Sequence, residues 1–475
     1  LTPKEMLEGF SNKGMITVAL LFLVSEGIRQ SGTLGQVIKK LLPQGKTTVF
    51  KAQLRILPSV AFISAFLNNT PVVVIFAPII KHWAKSVNLP ATKFLIPLSY
   101  VTILGGICTL IGTSTNLVVH GMILEAGFEG FSMFELGKVG IFIAIAGIIY
   151  IFLFSKRLLP DARPDTAVPD EEVEEGEKLH RAEAVLGARF PGINKKLKDF
   201  NFQRHYGAEV KEIKTRNGQR FVSNLEEVVL HEGDTLVVMA DDTFIPTWGE
   251  SSVFVLLTNG NEPDTTGKKK RWFALLLLVL MIVGATVGEL PITKEMFPDI
   301  KLDMFFFVSI TTIIMAWTNL FPARKYTKYI SWDILITIAC AFAISKAMVN
   351  SGVADSVAKF IIGLSDDYGP HVLLAMVFII TNLFTELITN NAAAALAFPL
   401  ALSISAQLGV SPTPFFVVIC MAASASFSTP IGYQTNLIVQ GIGNYKFTDF
   451  VRIGLPLNII TFLISIILIP LIWNF

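Results

Sequence analysis

Four clusters of uncharged polar residues interrupt long apolar stretches, and their residue types could bind ions. The clusters are residues 68–70 (NNT), 112–116 (GTSTN), 389–391 (TNN) and 432–436 (GYQTN). None contains Lys or Arg, so an anion bound there must be held by helix N-termini and neutral hydrogen-bond donors. Their hydroxyl and carbonyl oxygens can ligate a cation such as Na⁺. A dianion in this setting needs compensating charge, so we expect a cation to be bound with it.

The apolar stretches around these clusters predict a polytopic membrane protein. Of the 475 residues, 52% are hydrophobic and 16% charged, against about 25% charged in soluble domains. Seven stretches contain no Asp, Glu, Lys or Arg, namely residues 56–80, 94–124, 139–155, 272–288, 304–323, 387–445 and 453–475. A membrane helix needs about 20 apolar residues, so residues 387–445 must turn inside or across the bilayer. Membrane lipid is therefore an expected partner.

Several other classes of protein are not indicated. The net charge of +2 comes with basic residues in loops beside the apolar stretches, and it does not indicate nucleic-acid binding. Cys108, Cys340 and Cys420 all lie in apolar stretches, where we expect no disulfide. The sequence shows no phosphate-binding loop of the Walker type and no nucleophile–base set, so we do not expect an enzyme.

An internal repeat is the most informative pattern. GTSTNLVVHG at residues 112–121 matches GYQTNLIVQG at 432–441, at a shift of 320. Three further matches follow the same order, including Ser31-Gly32 with Ser351-Gly352. Two membrane helices, at about 272–290 and 303–322, precede the second copy, so we expect at least two more helices upstream of residue 1.

Loop charges predict that the two copies have opposite orientations. Loops 39–55 and 81–93 contain five and three basic residues and no acidic one, whereas loop 402–414 is uncharged and loop 359–371 contains Lys359 with Asp366 and Asp367. Basic loops face the cytoplasm, so equivalent loops lie on opposite sides, as in inverted repeats. Residues 56–80 and 372–402 then each enter and leave on one side, as re-entrant helical hairpins with clusters 68–70 and 389–391 at their tips.

A soluble segment separates the copies. We divide the chain into membrane repeat 1 (1–160), an acidic linker (161–182), a cytoplasmic α/β domain (183–266) and membrane repeat 2 (267–475). Alternating residues around Asn217-Gly218 predict a β-hairpin. Residues 188–198, Tyr206-Gly207 and residues 232–236 (EGDTL) resemble the C-terminal RCK domain, of the TrkA-C type. The resemblance implies regulation by an unidentified small ligand, or dimerisation; a passive structural insert is the alternative.

At the four clusters, the chain resembles the divalent anion:sodium symporter family. The combination NNTP, TNNAA and GYQTN, with the RCK-type insert, is more similar to the sulfate-transporter branch. The resemblance implies a homodimer in the bacterial inner membrane that works by an elevator motion. It also implies a substrate between the two tips, with the candidate ligands Asn68, Asn69, Thr70, Ser114, Thr389, Asn390, Asn391, Tyr433 and Gln434. The Na⁺ ligands implied in the same way are Asn69, Gly112, Thr113, Asn116, Asn390, Gly432, Thr435 and Asn436.

Several functions stay open at this point. Sodium-coupled sulfate symport is favoured, with dicarboxylate or citrate symport as the alternative. A Na⁺/H⁺ antiporter or an oxyanion exporter would need a carboxylate-centred cation site, for which the sequence offers Glu386. Glu386 could carry a proton or support the site, or be a carboxylate satisfied by neighbouring donors. A ligand-gated channel is least favoured, because inverted copies with closed tips fit alternating access better.

Overall fold

The structure, a computed structural model, describes most of the chain. The described residues are 1–161, 180–187, 189–215, 219–241, 244–248, 253–258, 268–297, 300–363 and 369–475. Most of the expected acidic linker, the turn at Asn217-Gly218, and Asp366 and Asp367 lie outside these residues.

Eight helices precede the soluble segment. They are α1 (Pro3–Leu7), α2 (Lys13–Gln30), α3 (Thr33–Leu41), α4 (Val49–Ser64), α5 (Asn69–Ser86), α6 (Leu95–Gly106), α7 (Ser114–Glu125) and α8 (Gly137–Leu158). The soluble segment contains α9 (Phe202–Tyr206) and α10 (Phe244–Trp248).

Eleven further described helices follow it. They are α11 (Lys268–Gly288), α12 (Pro291–Met296), α13 (Met304–Trp317), α14 (Tyr326–Tyr329), α15 (Trp332–Asn350), α16 (Val353–Gly363), α17 (Gly369–Leu387), α18 (Asn390–Leu408), α19 (Thr413–Ser424), α20 (Gln434–Gly443) and α21 (Phe447–Ile472). Within the described ranges, six helical segments are long and apolar enough to cross a membrane, namely Pro3–Gln30, Gly137–Leu158, Lys269–Gly288, Gly369–Leu387, Asn390–Leu408 and Phe447–Ile472. The protein is therefore a multi-pass membrane protein.

The polar clusters mark the ends of helices. Residues 65–68 separate α4 from α5, and residues 388–389 separate α17 from α18. The Thr389 hydroxyl accepts a hydrogen bond from the amide of Ala392 and begins α18 as its N-cap. Pro71 lies in the first turn of α5, where proline costs no intrahelical hydrogen bond. Residues 107–113 and 425–433 interrupt the apolar segments that contain α6 with α7 and α19 with α20.

Helices α4 and α5 form a hairpin with its two outer ends together. Trp83, near the end of α5, donates its indole N–H to the carbonyl of Pro43 at 2.9 Å, ahead of α4. Near the start of α4, Gln53 donates to the carbonyl of Lys93 at 2.6 Å, just beyond α5. The cluster at residues 68–70 therefore lies at the far end of this helix pair.

The soluble segment contains a five-stranded antiparallel sheet with strand order β3-β2-β4-β1-β5. The strands are β1 (His180–Leu186), β2 (Glu209–Lys214), β3 (Arg220–Phe221), β4 (Thr235–Ala240) and β5 (Phe254–Thr258). The strands expected on either side of Asn217-Gly218 are present as β2 and β3, with Ile213 opposite Phe221. One face of the sheet packs on an aromatic core that includes Phe190, Phe202 and Tyr206.

The opposite face of the sheet lies against the membrane helices. Successive side chains of a strand point to opposite faces, so Ala184 and Leu186 join the aromatic core while Val185 joins the membrane core. A Cβ atom on Gly441 of α20 would lie 2.5 Å from the Thr235 hydroxyl oxygen, which shows how closely β4 approaches this helix.

An ion pair reinforces this contact. The Lys81 ammonium, on α5, lies 2.9 and 3.0 Å from the two carboxylate oxygens of Glu183 on β1. Lys214 lies 3.4 Å from the same carboxylate. Burial by itself would raise the pKa of Glu183, but the two ammonium groups outweigh it and lower the pKa from 4.5 to about 2. The soluble segment is thereby tied to α5, the helix that begins at cluster 68–70.

We predict that Glu183→Gln lowers the thermal unfolding midpoint of the purified protein at pH 7. Its side chain is 17% exposed and that of Lys81 is 20% exposed, so the loss should be about 2 kcal/mol, below that of a fully buried pair. Because the folded-state pKa is lowered, this stabilisation is present above pH 4.5 and is lost as the pH falls towards 2.

Glu209→Gln is the matched control, because Glu209 forms a solvent-exposed pair with Lys211 on the same sheet. Equal midpoints for the Glu183 and Glu209 variants at pH 7 would contradict the interpretation of Glu183 as a docking residue.

Candidate functional site

The first hairpin tip is held by the buried amide of Asn69, which is 1% exposed. In the orientation that satisfies its neighbours, its nitrogen donates to the carbonyls of Thr102 and Gly112 at 3.0 and 3.2 Å. Its oxygen then accepts a hydrogen bond from the Tyr433 hydroxyl. Asn68 caps α5 through the amide of Thr70. The tip is thus fixed to residues 107–113 and also to the distant residue Tyr433.

The second tip has a related arrangement. The Asn390 side-chain oxygen accepts a hydrogen bond from Thr385 at 2.7 Å. At the first tip the pair has the same spacing but the opposite direction, because the Asn69 nitrogen donates to Ser64 at 2.8 Å. The next residue, Asn391, reaches out of its own hairpin, and its oxygen accepts from Ser114 at 3.2 Å and Thr115 at 3.3 Å. The first tip therefore contacts the interruption 425–433, and the second tip contacts the first turn of α7.

The two helix interruptions are stabilised by equivalent threonines. The Thr109 hydroxyl accepts a hydrogen bond from the Gly112 amide at 3.1 Å and donates to the carbonyl of Ala65. At residue numbers higher by 320, the Thr429 hydroxyl accepts from the Gly432 amide at 3.4 Å and donates to the carbonyl of Glu386 at 3.0 Å. Both glycines are required by space, because a Cβ atom on Gly432 would clash with the Thr385 carbonyl oxygen.

The two asparagines that follow these interruptions, Asn116 and Asn436, differ in their hydrogen bonds. Asn116 donates to the carbonyl of Thr109 at 2.9 Å, and Asn436 donates to that of Thr429 at 3.1 Å. The Asn436 side-chain oxygen accepts from Ser99 at 2.7 Å. The corresponding oxygen of Asn116 is buried and has no hydrogen-bond partner among the described residues. A buried acceptor without a donor is costly, which makes this oxygen a candidate ligand.

Tyr433 and Gln434 connect the second interruption to the first half of the chain. The Tyr433 hydroxyl lies 3.2 Å from the Thr113 hydroxyl and also contacts Asn69. The Thr70 hydroxyl donates to the side-chain oxygen of Gln434 at 3.3 Å. These contacts gather residues that are more than 300 positions apart in the sequence.

The N-termini of four helices come together in this way. Helices α5, α7, α18 and α20 begin at residues 69, 114, 390 and 434. The N-cap residues of α7 and α20, Thr113 and Tyr433, make no side-chain capping bond. Free N–H groups and the helix dipole favour bound negative charge. No formally charged side chain occurs in the tips and interruptions, residues 65–70, 107–116, 388–391 and 425–436. The nearest acidic residue in the sequence is Glu386, just before the second tip.

The two sets of candidate ligands, which share Asn69 and Asn390, differ in burial. All eight candidate Na⁺ ligands are buried. Five of the nine candidate substrate ligands are partly or fully exposed, namely Asn68, Thr70, Ser114, Thr389 and Gln434. The more exposed residues are therefore the better candidates for an exchangeable ligand, and the buried ones for a more enclosed ion.

Several polar residues of the site were missed by the sequence analysis. Thr109 and Thr429 were overlooked although the repeat shift of 320 relates them directly. Ser99 and Thr115 gave no signal of their own, because a hydroxyl in an apolar helix often bonds only to its own backbone. Asn458, which donates a hydrogen bond to Glu386, was also missed, because it lies inside an apolar stretch.

Comparisons with known proteins agree with a transporter. The sequence profile described as "Citrate transporter" matches residues 1–405 and 300–474. An uncharacterized transporter of Synechocystis is 30% identical, covering 100% of this chain and 91% of its own. A putative sulfur deprivation response regulator of Chlamydomonas reinhardtii is 28% identical, covering 98% and 94%.

A further relative from Chlamydomonas reinhardtii, sodium/sulfate cotransporter 2, is 31% identical over 59% of this chain and 31% of its own length. The match of the citrate transporter profile extends along nearly the whole chain. The chain therefore belongs to the citrate transporter family of the ion-transporter superfamily.

Proposed function

We propose that this transporter is a sodium-coupled symporter of a divalent oxyanion, with sulfate as the favoured substrate. The observation that carries the proposal is the meeting of four helix N-termini without a cationic side chain. Each helix end supplies only a partial positive charge, which falls off within the first turn and is opposed by the negative charge at the other end of the same helix. A dianion bound there still needs a counter-charge, and co-bound Na⁺ provides it.

The proposed Na⁺ sites lie at the two helix interruptions. The unpartnered side-chain oxygen of Asn116 supports the first site, with Gly112 and Thr113 beside it. Asn436 and Thr435 are the corresponding residues of the second site, where the Ser99 hydroxyl donates to the Asn436 oxygen and lies 2.9 Å from the Thr435 hydroxyl. Asn69 positions the Gly112 carbonyl and Tyr433, and the anion would bind between the tips.

The mechanism we propose is alternating access by two inverted repeats. Helices α2 to α8 correspond in order to helices α15 to α21. The hydrogen bonds of Thr109, Gly112 and Asn116 in the first set correspond to those of Thr429, Gly432 and Asn436 in the second. Buried hydrogen bonds join the two halves, such as that from Tyr150 to the carbonyl of Ile453 at 3.0 Å. The soluble segment would lie in the cytoplasm. An elevator movement within a homodimer is part of this proposal.

The names of relatives support two substrate classes. The sodium/sulfate cotransporter and the sulfur deprivation response regulator favour sulfate. The family description favours citrate. Neutral donors can enclose a compact dianion such as sulfate, so we place sulfate first and dicarboxylates or citrate second.

We predict that purified protein in liposomes takes up radiolabelled sulfate when an inward Na⁺ gradient is imposed, and that Asn69→Ala abolishes this uptake. The substitution removes the hydrogen bonds that link the first tip to Gly112 and Tyr433. Asn350→Ala is the control, because Asn350 is an exposed amide at the end of α15 that donates to Glu5 and belongs to none of the four clusters.

Each outcome of this uptake experiment has a definite meaning. Uptake of succinate or citrate in place of sulfate would retain the mechanism and change the substrate. Uptake that does not depend on Na⁺, or that persists unchanged in Asn69→Ala, would contradict the proposal.

We predict that Asn116→Ala and Gln434→Ala affect transport differently. Asn116→Ala should raise the Na⁺ concentration for half-maximal uptake by about tenfold, the effect of losing roughly 1.4 kcal/mol of cation binding. At saturating Na⁺, the half-saturating sulfate concentration of Asn116→Ala should equal that of the native protein. Gln434→Ala should raise that sulfate concentration at every Na⁺ concentration. Identical behaviour of the two variants in initial-rate measurements would be evidence against separate cation and anion ligands.

A further inference from the structure

Glu386 is an acidic residue inside the membrane part that neither proposed Na⁺ site uses. It lies at the end of α17, three residues before Thr389. One carboxylate oxygen, Oε1, accepts hydrogen bonds from the Ser428 amide at 2.8 Å and from the Asn458 side chain at 2.7 Å. Asn458 also donates to the Ser428 hydroxyl at 2.9 Å. Three elements, α17, residues 425–433 and α21, thus meet at this carboxylate.

The second oxygen of the carboxylate accepts no hydrogen bond from the described residues. Oε2 of Glu386 is buried and has no hydrogen-bond partner among the described residues. The same is true of the side-chain oxygen of Asn458, whose residue is only 6% exposed. In the described part of the chain, two buried acceptors, on side chains that are hydrogen-bonded to each other, therefore lack a donor.

No positive side chain in the described part of the chain forms an ion pair with Glu386. From α21 and residues 425–433 it is faced by the uncharged Asn458 and Ser428. From α6 the titratable neighbour is Tyr100, whose hydroxyl donates to the carbonyl of Phe427 at 2.5 Å. A carboxylate buried in this way is costly unless a cation neutralises it.

The first half of the chain has no equivalent group. The residue related to Glu386 by the repeat is Ala65, whose carbonyl accepts from Thr109 as the carbonyl of Glu386 accepts from Thr429. The backbone arrangement is thus repeated while the carboxylate is not. A cation bound by Glu386 would be additional to the symmetric pair at Asn116 and Asn436.

We propose that Glu386 and Asn458 form a third site for a monovalent cation, either Na⁺ or a proton, and that this site has no counterpart in the first half of the chain. As a step in transport this inference rests on the proposed symport, but cation binding itself does not. Na⁺ would be ligated by Oε2 and the Asn458 oxygen. A proton would bond to Oε2 and leave Oε1 as the acceptor of its two present hydrogen bonds.

Two binding measurements on the purified full chain test the site without any transport. Saturation binding of radioactive Na⁺ is compared between the native protein, Glu386→Gln and the control Glu295→Gln, an exposed carboxylate on α12. Infrared spectra of the same samples report the carbonyl stretch of a protonated carboxylic acid. If Na⁺ is the occupant, Glu386→Gln binds about one Na⁺ fewer per chain than the other two proteins.

If a proton is the occupant, the Na⁺ counts are equal and the acid band is absent only from Glu386→Gln. Equal counts with identical infrared spectra would overturn the proposal. Should Glu386→Gln fail to fold, Asn458→Ala serves as the second variant and must weaken Na⁺ binding or shift the acid band. Failure of the proposed function would instead show as absent anion uptake by the native protein, with these binding results unchanged.

Discussion

The architecture of the site depends on one electrostatic constraint: four helix ends meet in the membrane part without a cationic side chain. A helix N-terminus attracts an anion, but its field is weak and short-ranged. Several such ends are combined at the tips and interruptions. In the symport we propose, cations would bind at the buried side-chain oxygens near Asn116 and Asn436. Coupling of an anion to Na⁺ would then follow from this shortage of fixed positive charge.

Two sets of contacts connect the site to the rest of the chain. Tyr433 joins the two halves of the chain through Asn69 and Thr113, so a change at one tip reaches the other half directly. Lys81 and Gly441 bring the soluble sheet onto α5 and α20, whose first residues belong to the site. The sheet is therefore mechanically connected to the helices that would bind the ions, and not to a remote part of the protein.

The sequence predicted much of the fold because its signals were local. Uncharged apolar stretches marked the membrane helices, and the polar clusters marked their ends, as at Asn69 and Ser114. The contact of Asn69 with Tyr433 could not be predicted, since it joins residues 364 positions apart and depends on packing. The docking of Glu183 on Lys81 was missed for the same reason. An oxygen without a hydrogen-bond partner, such as that of Asn116, can be identified only once the positions of all neighbouring donors are known.

The most direct test of the account is whether anion binding requires Na⁺. Calorimetric titration of sulfate, and separately of succinate, into the purified protein would be performed in NaCl and in choline chloride at equal ionic strength. The account predicts binding of one of these dianions in NaCl, with a dissociation constant that falls as Na⁺ rises, and no measurable binding in choline. Equal affinity in the two salts would show that the helix ends hold the dianion without a cation, and would contradict the account.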